Sequence, residues 1–401
     1  MRFEPFGSQK REWRNLRFVY CSSATLHCAN RTLVGIFQFL RVVLSSRLDT
    51  HLAVRHRAAM LFNLIRPALF AFDPERAHRL TIKALKTTPI ARRRSPKGLA
   101  TQVAGIEFPN PLGMAAGFDK DGEVPDRLFR LGFGSVEVGS ITPRPQEGNP
   151  QPRLFRLVED RAVINRMGFN NRGADSAAKR LAARTARPGV LGINIGANKD
   201  SQDRIADYAE MARIMAPLAT YLAVNISSPN TPGLRALQDE GALIGLLDAV
   251  FAARGEQGPP VFLKVAPDLE PADIDAIARI AADKKLGALI VSNTTIARPP
   301  LKSRHACETG GLSGAPLKDL ALQRIRDFRA ATGGSVPLVG VGGIASAEDA
   351  WSRIRAGASL VQLYSAMVYE GPGLPRRITG GLADLMQREG FSSIAEAVGS
   401  E

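Results

Sequence analysis

Short apolar runs recur along the chain, separated by longer stretches of helical periodicity. Eight such runs stand out: Pro111–Gly117, Ser135–Ser140, Val190–Ile195, Tyr221–Ile226, Val261–Ala266, Ala288–Asn293, Val336–Gly340 and Ser359–Tyr364. They are rich in Val, Ile and Leu, as parallel strands covered on both faces require. Between them, segments such as Pro271–Lys284 and Leu317–Thr332 place apolar residues at helical spacing. Eight βα units over about 290 residues predict an α/β fold of the (β/α)8 TIM-barrel type, whose usual size is roughly 250 residues. A doubly wound open sheet is the alternative, but no GxGxxG follows the first run to mark a dinucleotide site there.

The polar residues fall in register with this reading. Lys120 follows the first run, Ser140 ends the second, and Asn194 lies on the third. Asn225 and Ser228 follow the fourth, Lys264 lies on the fifth, and Ser292, Asn293 and Thr294 close the sixth. Gly342-Gly343 and Tyr364-Ser365 finish the last two. In a barrel these ends converge on one face, where such enzymes keep their active sites. The fourth run leads into Asn225-Ile226-Ser227-Ser228-Pro229-Asn230-Thr231-Pro232-Gly233, with amides, hydroxyls and prolines concentrated in nine residues. Proline fixes φ and removes a donor, so this segment must leave the sheet as a stiff loop. Such a loop suits a small polar ring, although Ser, Asn and Pro also make ordinary turns.

Upstream of the barrel the pattern changes. Met60, Leu61, Leu64, Ile65, Ala68, Leu69 and Phe70 form an apolar stripe at helical spacing, and Asp73-Pro74 reads as an N-cap with proline in the first turn. The following helix, Glu75–Leu85, is apolar on one side and basic around it. Two such helices can pack on a domain or lie in a membrane interface. The domain reading is therefore an extension over 1–59, a helical subdomain and basic linker over 60–97, and a barrel over 98–401. The extension is Arg-rich and acid-poor, like a targeting presequence or translated upstream sequence before a start at Met60.

Composition narrows the chemistry. The 401 residues are 45% hydrophobic and 23% charged, an ordinary globular balance. Residues 1–59 hold ten Lys/Arg and three Asp/Glu, so they supply +7 of the net charge of +15. What remains suits an anionic substrate, a phosphate cofactor or an acidic membrane surface, and gives nucleic acid no special claim. Cys21, Cys28 and Cys307 form neither a disulfide framework nor a CxxC metal site. No apolar run reaches the roughly 20 residues of a membrane span. Near the strand ends there is no metal-ligand cluster, no His–carboxylate pair and no acid dyad. A bound mononucleotide cofactor carrying the hard chemistry fits this inventory, with protein amides and hydroxyls orienting a substrate, and flavin fits that division of labour. The two glycine-bearing ends suit its phosphate. Lys264, in mid-strand, is expensive to bury unless something anionic lies opposite.

Several ordered motifs resemble one family. They are Ala115-Ala116-Gly117-Phe118-Asp119-Lys120-Asp121-Gly122, Thr142-Pro143-Arg144-Pro145-Gln146, Arg153-Leu154-Phe155-Arg156 and Asn165-Arg166-Met167-Gly168-Phe169-Asn170-Asn171. The central loop, Ser292-Asn293-Thr294-Thr295, Gly310-Gly311-Leu312-Ser313-Gly314 and Leu363-Tyr364-Ser365 continue the series. Over residues 60–385 the chain resembles the quinone-dependent, membrane-associated (class 2) dihydroorotate dehydrogenases of pyrimidine biosynthesis.

The resemblance implies FMN, held by Ala116, Gly117, Phe118, Asp119, Lys120, Ser140, Asn194, Asn225, Lys264, Ser292, Gly314, Gly343, Tyr364 and Ser365. It implies dihydroorotate, held by Lys120, Asn165, Arg166, Met167, Gly168, Phe169, Asn225, Asn230, Asn293 and Thr294. Ser228 matches the catalytic base, with Thr231 and Phe169 beside a proton relay, and Arg156 falls near the inner end of a quinone tunnel. No metal is implied. The implied setting is a monomer at the cytoplasmic face of the cell membrane, or at the mitochondrial inner membrane, with a membrane quinone as partner. An RNA-acting flavoprotein barrel is the rival class, but the central loop lacks the cysteine acid such enzymes use.

Overall fold

The computed structural model describes residue 62 and residues 64–91, 94–184 and 189–401. The expected extension over 1–59 lies outside them, as do Met60 and Leu61 of the stripe and Arg92 and Arg93 of the linker.

Eight parallel strands close into a barrel: β1 (Leu112–Met114), β2 (Ser135–Ile141), β3 (Val190–Ile195), β4 (Tyr221–Asn225), β5 (Val261–Val265), β6 (Ala288–Val291), β7 (Leu338–Val341) and β8 (Ala358–Leu363). Each pairs with its sequence neighbours, and β8 returns to β1 through Val361, Gln362 and Leu363 against Leu112, Gly113 and Met114. Every strand corresponds to one of the eight apolar runs. The first strand is shorter than its run because the chain turns away after Met114, and Gly117 sits at φ +101. The intervening helices match their periodicity, including Pro271–Asp283 and Lys318–Thr332.

Inside the barrel, Tyr221, Ala223, Phe262, Ala288, Ile290, Val339 and Leu360 fill the lower layers, with the Tyr221 and Phe262 rings stacked 4.3 Å apart. A hairpin of Thr101–Val103 and Ile106–Phe108 packs Val103 and Phe108 against this layer and plugs the lower end. Its turn, Ala104-Gly105, takes φ of +51 and +78, as tight two-residue hairpin turns demand.

The opposite face carries an antiparallel sheet of Leu154–Leu157, Ala162–Asn165 and Gly311–Gly314. Three of the motif stretches thus pair edge to edge, Asn165 lying opposite both Leu154 and Gly311. Beside it run a helical segment over 64–71 and the helix Pro74–Thr87. Asp73 caps the latter, its carboxylate accepting from the Glu75 and Arg76 N–H groups. Glu75 and Arg153, both buried, form a two-pronged ion pair at 2.7 and 3.0 Å that fastens this helix to the loop before the lid sheet. No helix among the described residues is long and apolar enough to cross a membrane.

Candidate active site

A cavity of about 480 Å³ opens between the upper strand ends, the lid sheet and the two N-terminal helices. Its barrel-side wall brings together Ala116, Gly117, Phe118, Lys120, Ser140, Asn165, Met167, Gly168, Phe169, Asn225, Ser228, Asn230, Lys264, Ser292, Asn293, Thr294, Gly314, Gly343, Tyr364 and Ser365. Residues separated by as much as the length of the barrel thus meet because they lie at the upper ends of the closed sheet's strands or on the lid sheet and loop that cover them.

Four of the residues named from sequence do not reach that wall. Asp119 turns down to accept from the Glu123 and Val124 N–H groups at 2.7 and 2.8 Å, closing the turn before the helix Pro125–Leu131. Burial pushes its carboxyl up to about 6. Arg166 swings out to Glu308 at 2.7 Å and stacks its guanidinium over the Phe155 ring. Asn194 lies fully buried beneath Ser140. Thr231 is buried as well, and its Oγ1 has no hydrogen-bond partner.

The amides form one connected chain. Asn194 donates to the Glu137 carboxylate at 2.8 Å and accepts from Ser140 Oγ. Asn225 donates to Ser140 Oγ at 2.9 Å and to Asn194 Oδ1 at 3.2 Å. Its own Oδ1 accepts from Asn293 Nδ2 at 3.3 Å and from Ser227 Oγ at 3.1 Å. Each amide is therefore oriented by the one below, and the sequence of donors and acceptors begins at Glu137. That carboxylate, completely buried, also accepts from Gln362 at 2.9 Å and Tyr221 at 3.2 Å. Gly192 leaves the room Tyr221 needs, since a Cβ there would fall 2.2 Å from its ring. In the sequence Glu137 stands inside an apolar run. A lone acid inside such a run is itself a signal, because a buried charge needs partners.

Two of the lysines in the wall are Lys264, which is buried, and Lys120, which is half-buried. Burial lowers the Lys264 pKa, while Glu137 acts the other way. Burial lowers Lys120 to about 8, so below that pH it presents an ammonium in the cavity wall. Ser228, buried, accepts a 3.3 Å bond from the Asn230 N–H. Phe169 holds φ +53, which is costly for a bulky side chain. Its ring lies against Gly196, where a Cβ would come within 3.0 Å.

The helical end of the cavity is different. Leu69, Phe70, Ala77, Thr81, Ala84 and Leu85 line it. Arg156 sits at its inner end, stacked 4.6 Å from the Phe70 ring and donating to the Leu69, Phe70 and Phe72 carbonyls. It thereby satisfies carbonyls left open at the end of the 64–71 helical segment. His78 stands between the two ends, edge-on to Phe118 at 5.3 Å. Loss of solvation, with a smaller contribution from Lys120, lowers it to about 4, so it is a neutral imidazole at pH 7. Nothing in the sequence marks it, as a lone His in an amphipathic helix is usually a packing residue.

The family model described as Dihydroorotate dehydrogenase matches residues 98–386. The chain belongs to the dihydroorotate dehydrogenase family. Among curated relatives, the dihydroorotate dehydrogenase (quinone) of Erythrobacter litoralis is 74% identical over 343 residues, covering 85% of this chain and all of the relative. That of Novosphingobium aromaticivorans is 67% identical over 346 residues, covering 85% and 99%. Among solved structures, the DHODH of Eimeria tenella in complex with ferulenol superposes with a TM-score of 0.79 at 39% identity, covering 84% of this chain and 98% of that one. Members of this family are flavin-dependent, and the residues present fit such a group. A buried lysine without a direct carboxylate contact and a glycine loop at Gly342-Gly343 face the same cavity.

Proposed function

We propose that this chain oxidises dihydroorotate to orotate with FMN as hydride acceptor, and returns the electrons to a membrane quinone. The observation that carries this reading is one continuous cavity, lined by amides and three lysines (Lys120, Lys264 and Lys318) at the barrel end and mostly by apolar helix residues at the other. FMN, when bound, supplies a hydride acceptor that can be emptied by a second substrate. Lys264 and the Gly342-Gly343 loop would hold it, with Ser140, Asn225, Ser292 and Gly314 around its ring and Tyr364 and Ser365 near its phosphate.

Dihydroorotate carries a carboxylate, two carbonyls and two ring N–H groups. Lys120 pairs with the carboxylate, while Asn165, Asn225, Asn230, Asn293 and Thr294 offer donors and acceptors to the ring. Oxidation removes a proton from C5 and a hydride from C6, leaving the double bond of orotate. Ser228 takes the proton. An alcohol is a weak base at neutral pH, so the site must pass that proton onward. Thr231, with its buried and unpartnered hydroxyl, and the ring of Phe169 shape the route by which a water could carry it. Met167 and Gly168 complete the loop beneath the substrate.

The apolar vestibule suits the quinone. Helices that are amphipathic and flanked by arginines can rest in a bilayer surface, letting an apolar tail enter without crossing water. We therefore assign the protein to the periphery of the cell membrane, on its cytoplasmic side, as a monomer. The test is anaerobic absorbance of the purified protein. Dihydroorotate should bleach a flavin band and a short-chain quinone should restore it. A flavin band that dihydroorotate leaves unchanged would make the substrate assignment wrong.

A further inference from the structure

Below the Gly342-Gly343 loop lies an arginine that none of the steps above uses. Arg353, on the helix Ala347–Arg355, has no exposed surface. Its Nη2 donates to the Lys318 carbonyl at 2.6 Å and to the Gly342 carbonyl at 3.1 Å. Its Nε and Nη1 are buried without a partner. Asp349, one turn back on the same helix, is engaged elsewhere: its carboxylate meets Lys318 Nζ at 2.5 Å and accepts from the Ala345 and Ser346 N–H groups. No ion pair to Arg353 forms among the described residues. Asp349 and Asp319 act on Arg353 only through their charge, and a fully buried cation with two idle donors and no ion pair is an expensive arrangement. Glycine at 340 permits it, since a Cβ there would press on the Arg353 side chain at 3.3 Å.

The stereochemistry of the loop supplies the second half of the argument. In a planar trans peptide the carbonyl and the next N–H point to opposite sides. Arg353 holds the Gly342 carbonyl inward, so the N–H of Gly343 faces outward, and Gly342 and Gly343 both line the cavity. Positive φ at both residues, +115 and +67, makes this conformation a glycine one.

We propose that Arg353 is a positioning and specificity residue that selects a phosphorylated flavin. It fixes the Gly342-Gly343 peptide with its N–H toward the cavity, and its buried charge is answered by the phosphate dianion. The proposal rests on the FMN reading above and adds a residue outside the cavity wall that sets the preference for FMN over riboflavin.

The experiment titrates apoprotein with FMN and, separately, with riboflavin, following the quenching of flavin fluorescence. In Arg353→Met the preference for FMN should fall by about tenfold or more, since a charge-assisted contribution is lost that riboflavin never used. Arg353→Lys keeps the charge and should hold the preference to within roughly threefold. If Arg353→Met does not fold, Arg353→Gln carries the comparison, because it retains one donor for the Gly342 carbonyl and loses only the charge. Neutral variants that weaken both flavins equally, or that keep the parent's preference, would overturn the proposal. So would a parent that binds riboflavin as tightly as FMN. A parent that binds neither flavin would instead undo the FMN reading itself.

Discussion

The two ends of the cavity are built on opposite principles. At the barrel end, polar side chains are held by one another: Glu137 orients Asn194, Asn194 and Ser140 orient Asn225, and Asn225 orients Asn293. At the helical end the wall is mostly aliphatic and aromatic, and the guanidinium at its inner end, Arg156, is occupied with backbone carbonyls. The first arrangement can recognise a small polar ring and handle a proton. The second suits something largely apolar. The difference teaches that the fold separates two chemistries within one space, and that each should be breakable without the other.

The largest expected effect falls on the polar end. Ser228→Ala should slow flavin reduction by dihydroorotate roughly 10²–10⁴-fold, the usual contribution of a general base. Reoxidation by quinone should be unchanged, and anaerobic stopped-flow absorbance reads both. Next is the joint between the ends. Glu75→Ala leaves Arg153 buried and unpaired, which costs about 3–5 kcal/mol, seen as a lower denaturant midpoint.

A pH profile sharpens the comparison further. Lys120 must be protonated to hold a carboxylate, and burial has lowered its pKa from the ordinary 10.5 to about 8. Dihydroorotate kcat/KM should therefore fall above pH 8, approaching tenfold per unit. An alkaline limb that begins only near 10.5 would remove Lys120 from substrate binding. The smallest effect belongs to the apolar end. Leu64, three-quarters exposed on the 64–71 helical segment, has no partner in the fold that explains it. Fully burying a leucine is worth about 1.5–3 kcal/mol, and partial immersion in a bilayer surface keeps only a fraction of it, about 0.7 kcal/mol, so Leu64→Glu should reduce vesicle-dependent quinone turnover roughly threefold. Turnover with a water-soluble quinone should not change.

Much of this was legible in the sequence, for identifiable reasons. Strands buried on both faces leave continuous apolar runs, so all eight could be read, and the polar ends of those runs converged as a closed barrel requires. The lid sheet could not be read. Its strands are four residues long, one of them is Gly311–Gly314, and their pairing joins Asn165 to Gly311 across a long stretch of chain. Asp119 and Arg166 were expected in the cavity because their motif neighbours reach it. Local backbone capping and a nearby Glu308 take them elsewhere, and no motif encodes that. Arg353 was invisible for another reason: on a helix reading Ala-Glu-Asp-Ala-Trp-Ser-Arg-Ile-Arg, one arginine looks like the other, yet Arg353 is buried and Arg355 reaches Glu389 and Ser400.

The separation of the two ends is tested most directly by narrowing the vestibule alone. Ala77, on the helix Pro74–Thr87, faces the apolar end of the cavity. In Ala77→Trp, stopped-flow absorbance should show dihydroorotate reducing the flavin at the parent rate while quinone reoxidation slows about tenfold or more, as expected when a bulky ring fills a preformed apolar site. Equal slowing of both half-reactions, or unimpaired reoxidation, would contradict the division of the cavity into a polar substrate end and an apolar quinone end.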